Sequence, residues 1–195
     1  MIVSFTGAQS TGKTTLINEL SCLLQSADWT IVPEVTRLVK RQFDVDINEL
    51  GGDDTQALII TQHLINSLSH KDNVIMDRCI IDGLVYTNYL YSEGKVSTDI
   101  VCYAEYMFNK LLPKLGLVFY TSPEDIPLED DGERSTTTSF RDAIISEFED
   151  MLFYIDKQYE GPEVIRLEGS VEERLDIITT SLNKLTNLNI ETTLK

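Results

Sequence analysis

One eight-residue stretch near the start of the chain constrains its fold more than any other feature. Residues 7–14 read Gly-Ala-Gln-Ser-Thr-Gly-Lys-Thr and match the pattern G-x-x-x-x-G-K-[ST] at every defined position. A short β-prone run, Ile2 to Thr6, precedes the stretch, and a helix-prone run beginning near Lys13 follows it. Strand, loop and helix in this order bring backbone N–H groups and the positive end of the helix dipole to one anion. The sequence therefore predicts a phosphate-binding loop for a nucleoside triphosphate.

The residue types in this loop indicate their roles. Gly7 and Gly12 permit backbone turns that are closed to other residues. Lys13 is expected to reach the β- and γ-phosphates of ATP, and the Thr14 hydroxyl is expected to bind Mg²⁺. ATP and Mg²⁺ are thus the predicted cofactors. The predicted nucleotide-binding residues are Gly7, Ala8, Gln9, Ser10, Thr11, Gly12, Lys13, Thr14 and Thr15.

The composition is typical of one globular domain. The chain has 195 residues, of which 42% are hydrophobic and 25% are charged, and this length can bury a large core. No apolar run is long enough for a membrane span, and the first strand begins too early for a targeting segment. The three cysteines form no C-x-x-C pair, which indicates reduced thiols and a cytoplasmic location. The sequence does not decide between a monomer and a homo-oligomer.

The net charge of −16 is unusual for a chain of this length. A protein that grips a nucleic-acid backbone normally carries a basic patch, and none is evident in the sequence. The charge therefore favours a small-molecule substrate, although an acidic protein can still carry a local basic cleft.

Short apolar runs alternate with helix-prone runs along the whole chain. The predicted strands are Ile2 to Thr6, Trp29 to Val32, Asn73 to Asp77, Leu115 to Tyr120 and Glu163 to Leu167. The predicted helices cover about 13–25, 35–43, 53–68, 80–91, 98–112, 140–159 and 171–185. Because the strands are apolar without alternation, we expect a parallel sheet covered by helices on both faces. This α/β domain should span residues 1–185 and leave a frayed tail at 186–195.

Ligands of such sheets bind at the carboxyl ends of the strands, where the third predicted strand ends in Asp77 and Arg78 follows. Asp77 could hold Mg²⁺ or accept a proton from an attacking hydroxyl, and Arg78 could bind the substrate. The alternative is that Asp77 caps the following helix.

A second acid, Glu34, follows the second predicted strand, and Arg37 comes three residues later. This spacing places both side chains on one face of a helix, where they could supply a base and a cation to an acceptor. A surface ion pair explains the spacing equally well.

A polar segment over about 122–139 separates the fourth strand from a long helix, and it contains Asp130-Asp131-Gly132-Glu133-Arg134. A glycine beside an arginine suits a lid that closes on phosphates, with Arg134 neutralising the phosphoryl group in transfer. By composition alone, a solvated acidic loop is the better explanation, and only the position in the chain favours a lid.

Gln62 and His63 lie on the helix after Gly51-Gly52, where either could hydrogen-bond a substrate ring. We include Gln62 among the candidate substrate-binding residues. A solvated helix face is the simpler explanation for both.

In combination, these motifs resemble those of small phosphate-loop kinases, and above all the ribosylnicotinamide kinase family. That family forms the kinase half of bacterial NAD-regulator proteins, and it too has an Asp-Asp-Gly-x-Arg segment before a long helix. The resemblance implies a kinase-type P-loop NTPase fold, a three-layer sandwich with a five-stranded parallel sheet of order 2-3-1-4-5. It further implies transfer of the ATP γ-phosphate to a hydroxyl. The chain lacks the nucleotidyltransferase and DNA-binding parts of those regulators, so a role in NAD metabolism does not follow.

The overall plan is also similar to deoxynucleoside and thymidylate kinases. In deoxynucleoside kinases a glutamate after the second strand acts as the base, which corresponds here to Glu34, and the acid-arginine pair corresponds to Asp77 and Arg78. Related stand-alone domains of bacteriophages resemble kinases of 5-hydroxymethyluracil in DNA, and for such a protein the location would be the host cytoplasm.

The sequence therefore predicts an ATP:hydroxyl phosphotransferase with Lys13, Glu34, Asp77 and Arg134 as catalytic residues. Glu34, Arg37, Gln62 and Arg78 would bind the acceptor, and Thr14 and Asp77 the metal. The acceptor is either a nucleoside-like small molecule, which the acidity favours, or a hydroxymethylated base in DNA. The competing classes are an ATPase or switch module without an acceptor, and a module that binds nucleotide without turnover.

Overall fold

The fold is built on a parallel sheet, seen in a computed structural model that describes residues 1–24, 28–69, 73–123, 138–158 and 161–186. The sheet has five strands in the order β2-β3-β1-β4-β5. The strands are β1 (Ile2–Thr6), β2 (Trp29–Val32), β3 (Asn73–Asp77), β4 (Leu115–Thr121) and β5 (Glu163–Leu167). Each neighbouring pair is parallel. The predicted α/β fold and its strand order are confirmed.

Seven α-helices connect and cover the strands within the described ranges. They are α1 (Lys13–Leu23), α2 (Val35–Phe43), α3 (Asp53–Ser69), α4 (Ile80–Ser92), α5 (Thr98–Leu111), α6 (Thr138–Gln158) and α7 (Val171–Thr186). The predicted bounds differ from these by two residues or fewer, and β4 extends one residue beyond its prediction, to Thr121. Most of the predicted lid, including Arg134, and most of the predicted tail lie outside the described residues.

The sheet is buried on both faces, as its unbroken apolar runs predict. Along β4, Leu117 and Phe119 point into one core while Val118 and Tyr120 point into the other. The first core packs against α1 and α7, and Phe119 contacts Phe5 of β1 with ring centroids 5.2 Å apart. The second core packs against α4, α5 and α6. Helices on both sides thus leave the carboxyl ends of the strands as the open edge where a ligand can bind.

No helix in the described ranges is both long enough and apolar enough to cross a membrane.

The two phenylalanines of α6 provide a test of this packing. Phe148 is fully buried and contacts the rings of Tyr86 and Tyr120 at 6.4 and 5.9 Å, whereas Phe153 on the same helix is 66% exposed. We expect Phe148→Ala to lower the free energy of unfolding by about 3–5 kcal/mol, because it leaves a cavity in the core. The matched control Phe153→Ala should change it by less than about 1 kcal/mol. Urea unfolding curves measure both, and similar losses in the two variants would contradict this packing.

Candidate active site

The loop between β1 and α1 has the backbone geometry that its glycines predict. Gly7 and Gly12 have φ of +134° and +81°, values that L side chains rarely adopt. A Cβ at Gly7 would also lie 2.8 Å from the Thr121 Oγ1 and 2.9 Å from the Thr121 carbonyl oxygen. Only glycine therefore fits at position 7, where the loop passes close to the end of β4.

Contacts from β4 and α7 hold this loop in place. The Thr11 and Thr121 hydroxyls are hydrogen-bonded to each other at 2.6 Å, and Thr121 Oγ1 lies 3.1 Å from the Thr6 carbonyl oxygen, to which it donates. Buried Arg174 donates from Nη1 to the Thr11 carbonyl at 3.2 Å. The sequence analysis missed Thr121 and Arg174, because a threonine at a strand end and an arginine in an amphipathic helix carry no local signal.

The Lys13 amine lies inside the loop. Its Nζ donates to the Gly7 carbonyl at 2.9 Å, to the Thr11 Oγ1 at 3.1 Å and to the Ala8 carbonyl. Burial, together with the nearby charge of Arg78, lowers the pKa of Lys13 from 10.5 to about 7. A phosphate in the loop would favour the protonated amine and so reverse this shift.

At the start of α1, Thr14 and Thr15 are exposed, and Thr14 Oγ1 donates to the Asp77 Oδ2 at 3.0 Å. Asp77 is buried, and its Oδ1 has no hydrogen-bond partner among the described residues. Burial, reinforced by the charge of Glu34, raises the pKa of Asp77. An unpartnered buried carboxylate oxygen beside a threonine hydroxyl fits the hard oxygen ligands that Mg²⁺ prefers.

Asp77 does not cap the following helix, which was the alternative explanation for it. The N-cap of α4 is Cys79, which forms a capping box with Asp82. The Asp77 side chain instead bonds Thr14, on the side of the phosphate-binding loop.

The most extensive side-chain network of the site centres on Arg78. This buried arginine donates from Nε to the Glu34 Oε1 at 2.8 Å and from Nη1 to the Asp82 Oδ1 at 2.9 Å. Its Nη1 also donates to the Gly7 carbonyl at 3.3 Å, and the guanidinium carbon lies 5.4 Å from the centroid of the Tyr86 ring. The backbone φ of Arg78 is +74°, an uncommon value for a non-glycine residue that occurs most often at functional sites.

Asp82 fixes the position of this arginine. Its Oδ2 accepts hydrogen bonds from the Thr6 hydroxyl at 2.7 Å and the Cys79 backbone N–H at 3.0 Å, which leaves Oδ1 for Arg78. The sequence analysis missed Asp82. Its position three residues after Cys79 matches a capping box, but cysteine is not a usual capping residue.

Glu34 is shared between two arginines. Besides Arg78, it accepts a hydrogen bond from the Arg37 Nε at 3.0 Å on its Oε2, as the three-residue spacing predicts. Burial alone would raise the pKa of Glu34, but the charge and hydrogen bond of Arg78 lower it. Glu34 is therefore a strongly ionised carboxylate, and it belongs to a partly buried network rather than to an isolated surface pair.

Two cavities lie on either side of the Glu34–Arg78 pair. The larger, which we call the α2 cleft, has a volume of about 310 Å³. Its lining residues are Thr14, Ile17, Asn18, Ile31, Pro33, Glu34, Arg37, Leu38, Arg41 and Asp77. The smaller, the inner cavity, has a volume of about 20 Å³ and is lined by Arg78, Asp82, Gly83 and Tyr86 with residues of α2 and α3. The metal-binding and acceptor-binding candidates Thr14, Asp77, Glu34 and Arg37 thus share one cleft.

Gln62 lies outside this group. Its Nε2 donates to the Asn66 Oδ1 at 2.9 Å, and it lines neither cavity. The α3 residues that line the inner cavity are Gln56, Ile59 and His63. Consecutive helical residues are about 100° apart around the axis, so an error of one position places a side chain on a different face.

The expectation of a solvated face is wrong for His63. This side chain is buried, its Nδ1 has no partner among the described residues, and burial lowers its pKa to about 4. His63 is thus a neutral imidazole in the wall of the inner cavity.

The family of the chain follows from a match over most of its length. The AAA domain family model matches residues 2–174, a range that includes the loop, Glu34, the Arg78 network and Arg174. The chain belongs to this AAA domain family. A comparison with curated proteins gave no significant match by sequence.

Solved structures with a fold similar to this AAA domain include a deoxyadenosine kinase, the NadR protein and a thymidylate kinase. A deoxyadenosine kinase from M. mycoides with dCMP and dCDP bound is 18% identical, with a TM-score of 0.68 over 95% of this chain and 100% of that chain. The NadR protein in complex with NR is 20% identical, with a TM-score of 0.68 over 100% of this chain and 52% of that chain. Thymidylate kinase from Candida albicans is 16% identical, with a TM-score of 0.67 over 95% of this chain and 92% of that chain.

These similarities confirm the predicted resemblance to small phosphate-loop kinases. At such low identity they establish the fold alone, which is the P-loop fold of these kinases. They give no support to a bacteriophage origin or to a role in DNA modification.

The unusual pKa of Lys13 leads to a prediction about nucleotide binding. Between about pH 7 and pH 10.5 the amine is largely neutral in the folded chain, and a bound phosphate favours its protonated form. Binding of the ATP analogue AMP-PNP with Mg²⁺ at about pH 8.5 should therefore take up nearly one proton. Calorimetry in two buffers of different ionisation enthalpy measures this uptake. Lys13→Arg should abolish it, because arginine stays protonated. Equal binding enthalpies in the two buffers for the unmodified chain would contradict the shift.

Proposed function

We propose that this chain is an ATP-dependent kinase that transfers the γ-phosphate of ATP to a hydroxyl group of a nucleoside-like acceptor. The main support is the convergence of two kinds of group at the α2 cleft. Thr14 and Asp77 suit the donor phosphates and their metal, and the ionised Glu34 suits a hydroxyl. The kinase fold of the similar structures supports the same class of reaction.

On the donor side, the loop N–H groups and Lys13 bind the phosphates of ATP. Thr14 and Asp77 would hold Mg²⁺ together with phosphate oxygens, and the ion would neutralise charge on the transferring group. No cluster of three or more His, Cys, Asp or Glu residues in the described ranges could hold a metal by itself. Arg134, which we also assign to the phosphoryl group, lies outside the described residues.

On the acceptor side, we assign the base to Glu34 rather than to Asp77. Both acids line the cleft, but Glu34 is ionised, whereas Asp77 has a raised pKa, bonds Thr14 and is better placed for the metal. The acceptor oxygen forms a bond to the γ-phosphorus, the bond from the γ-phosphorus to the β,γ-bridging oxygen breaks, and the hydroxyl proton passes to Glu34. Arg37 and Arg78 hold Glu34 in position and could contact the acceptor. ADP and a phosphate monoester are the products.

A hydroxymethylated base in DNA is the second candidate acceptor. The observation in its favour is a local group of cations on an acidic chain, since α2 contains Arg37, Lys40 and Arg41. The nucleoside-like acceptor is preferred because the ligands in the similar kinase structures are nucleotides and NR.

Transfer of label from [γ-³²P]ATP to a panel of nucleosides and nucleotides tests the proposal. We expect labelled phosphate monoester with at least one acceptor. Lys13→Ala should reduce kcat by about 100-fold or more, because the cation in the transition state is lost. Glu34→Gln should also reduce kcat by about 100-fold or more while nucleotide affinity stays within about threefold, as loss of a base predicts. Glu19→Gln, on the exposed side of α1, is the control and should be unaffected.

Two results would refute the proposal. Label found only in free phosphate with every acceptor would identify an ATPase or switch module instead. Binding of AMP-PNP without any turnover of ATP would identify a module that only holds nucleotide.

A further inference from the structure

We propose that the α2 cleft binds a phosphate group of the acceptor through Arg41, assisted by Arg37, so that the acceptor is a nucleotide rather than a free nucleoside. The inference rests on the proposed kinase function, and it concerns the far end of the same cleft. There the phosphate is a recognition group and takes no part in the reaction.

The shape of the cleft supports an organic ligand with an anionic end. Its volume of about 310 Å³ is at the lower end of the range of about 300–1,000 Å³ for small-molecule sites. Ile31 supplies apolar surface, and Leu38, which lines the same cleft, is 41% exposed. These side chains could cover the face of a sugar or a base.

The two arginines lie on the same face of α2. Arg37 and Arg41 are four residues apart, one turn of helix, and both line the cleft. The planar guanidinium group donates pairs of hydrogen bonds that match the geometry of a phosphate. An arginine pair above an apolar surface is therefore better suited to a phosphate ester than to an uncharged nucleoside.

The charge distribution makes this region exceptional within the protein. The whole chain has 32 acidic and 16 basic residues, yet α2 contains Arg37, Lys40 and Arg41 and no acid. The acids that line the cleft are Glu34 and Asp77. Glu34 is paired with Arg78 at 2.8 Å and with Arg37 at 3.0 Å, and Asp77 bonds Thr14. Arg41, one turn of α2 beyond Arg37, thus places a cation at the end of the cleft away from Glu34.

The position of Arg41 separates this subsite from the reacting groups. Arg41 follows Glu34 by seven residues, which at a rise of 1.5 Å per residue is about 10 Å along the axis of α2. A hydroxyl at Glu34 and a phosphate at Arg41 would therefore belong to different parts of one acceptor. Of the nucleotide-binding loop residues, only Thr14 lines the cleft, so we assign the phosphates of ATP to the Thr14 end and the acceptor phosphate to the Arg41 end.

Equilibrium binding to the full chain tests the inference independently of turnover. The probes are thymidine, thymidine 3′-monophosphate, thymidine 5′-monophosphate and a tetrathymidylate, each titrated by calorimetry with Mg²⁺ and AMP-PNP present. We expect at least one phosphorylated probe to bind about tenfold more tightly than thymidine, because the phosphate gains charge-assisted hydrogen bonds. Arg41→Gln should reduce this gain to about twofold or less, and Arg41→Lys should retain part of it.

Lys40→Gln is the matched control, because it removes a neighbouring positive charge of α2 that does not line the cleft. Lys40→Gln should retain most of the tenfold tighter binding of the phosphorylated probe relative to thymidine. Tighter binding of the mononucleotides than of tetrathymidylate would assign the phosphate to a free nucleotide, and the opposite order would assign it to a polynucleotide. Unfolding midpoints close to that of the unmodified chain would show that each variant folds.

Two outcomes would overturn the inference. One is that no phosphorylated probe binds in a way that depends on Arg41. The other is that Lys40→Gln and Arg41→Gln reduce the affinity gain of the phosphorylated probes over thymidine equally. The kinase proposal fails differently, through the lack of label transfer to any acceptor by the unmodified chain.

Discussion

The candidate site depends on one buried cation, Arg78. A buried arginine is tolerated only when carboxylates and hydrogen bonds compensate its charge, and removal of one partner from such a pair costs about 3–5 kcal/mol. Here the partners come from separate elements, with Glu34 at the start of α2, Asp82 in α4 and the Gly7 carbonyl in the phosphate-binding loop. A shift of any of these elements would remove one of the partners that compensate this buried charge. The network therefore fixes the loop, the end of β3 and the start of α2 relative to one another.

The same network would suit the proposed binding of phosphate and a metal ion. Arg78 keeps Glu34 ionised and, together with burial, lowers the pKa of Lys13. Glu34 in turn adds to the burial that raises the pKa of Asp77. A phosphate near Lys13 would stabilise its protonated amine, and a divalent ion near Asp77 would stabilise its ionised carboxylate. Nucleotide and metal should therefore bind cooperatively, because each compensates a charge that the fold has already placed.

Local patterns predicted most of the fold and the positions of several residues of the candidate site. Strand bounds, the glycine-rich loop, Asp77 at the end of β3 and the contact of Glu34 with Arg37 depend on residues close together in sequence, and these predictions agree with the structure. The sheet order came from the resemblance to kinases. The supporting residue Arg174 was not predicted because its partner, Thr11, is distant in sequence. Asp82 was not predicted because the residue that it caps with is a cysteine, which is unusual in a capping box. Sequence polarity does not reveal which face of α3 meets the inner cavity, so it cannot distinguish His63, which lines this cavity, from Gln62, which does not.

The acidity of the chain shows why an average charge cannot identify an acceptor. A net charge of −16 argues against strong binding to a polyanion, but Debye screening limits each surface charge to a range of about 8 Å at physiological ionic strength. A phosphate at the Arg41 end of the α2 cleft would therefore interact mainly with Arg37 and Arg41, and little with acids on remote helices. The distant acids would slow the encounter with a long polyanion and have less effect on a single nucleotide. Local recognition by arginine and long-range repulsion by the rest of the surface together favour a short phosphorylated acceptor.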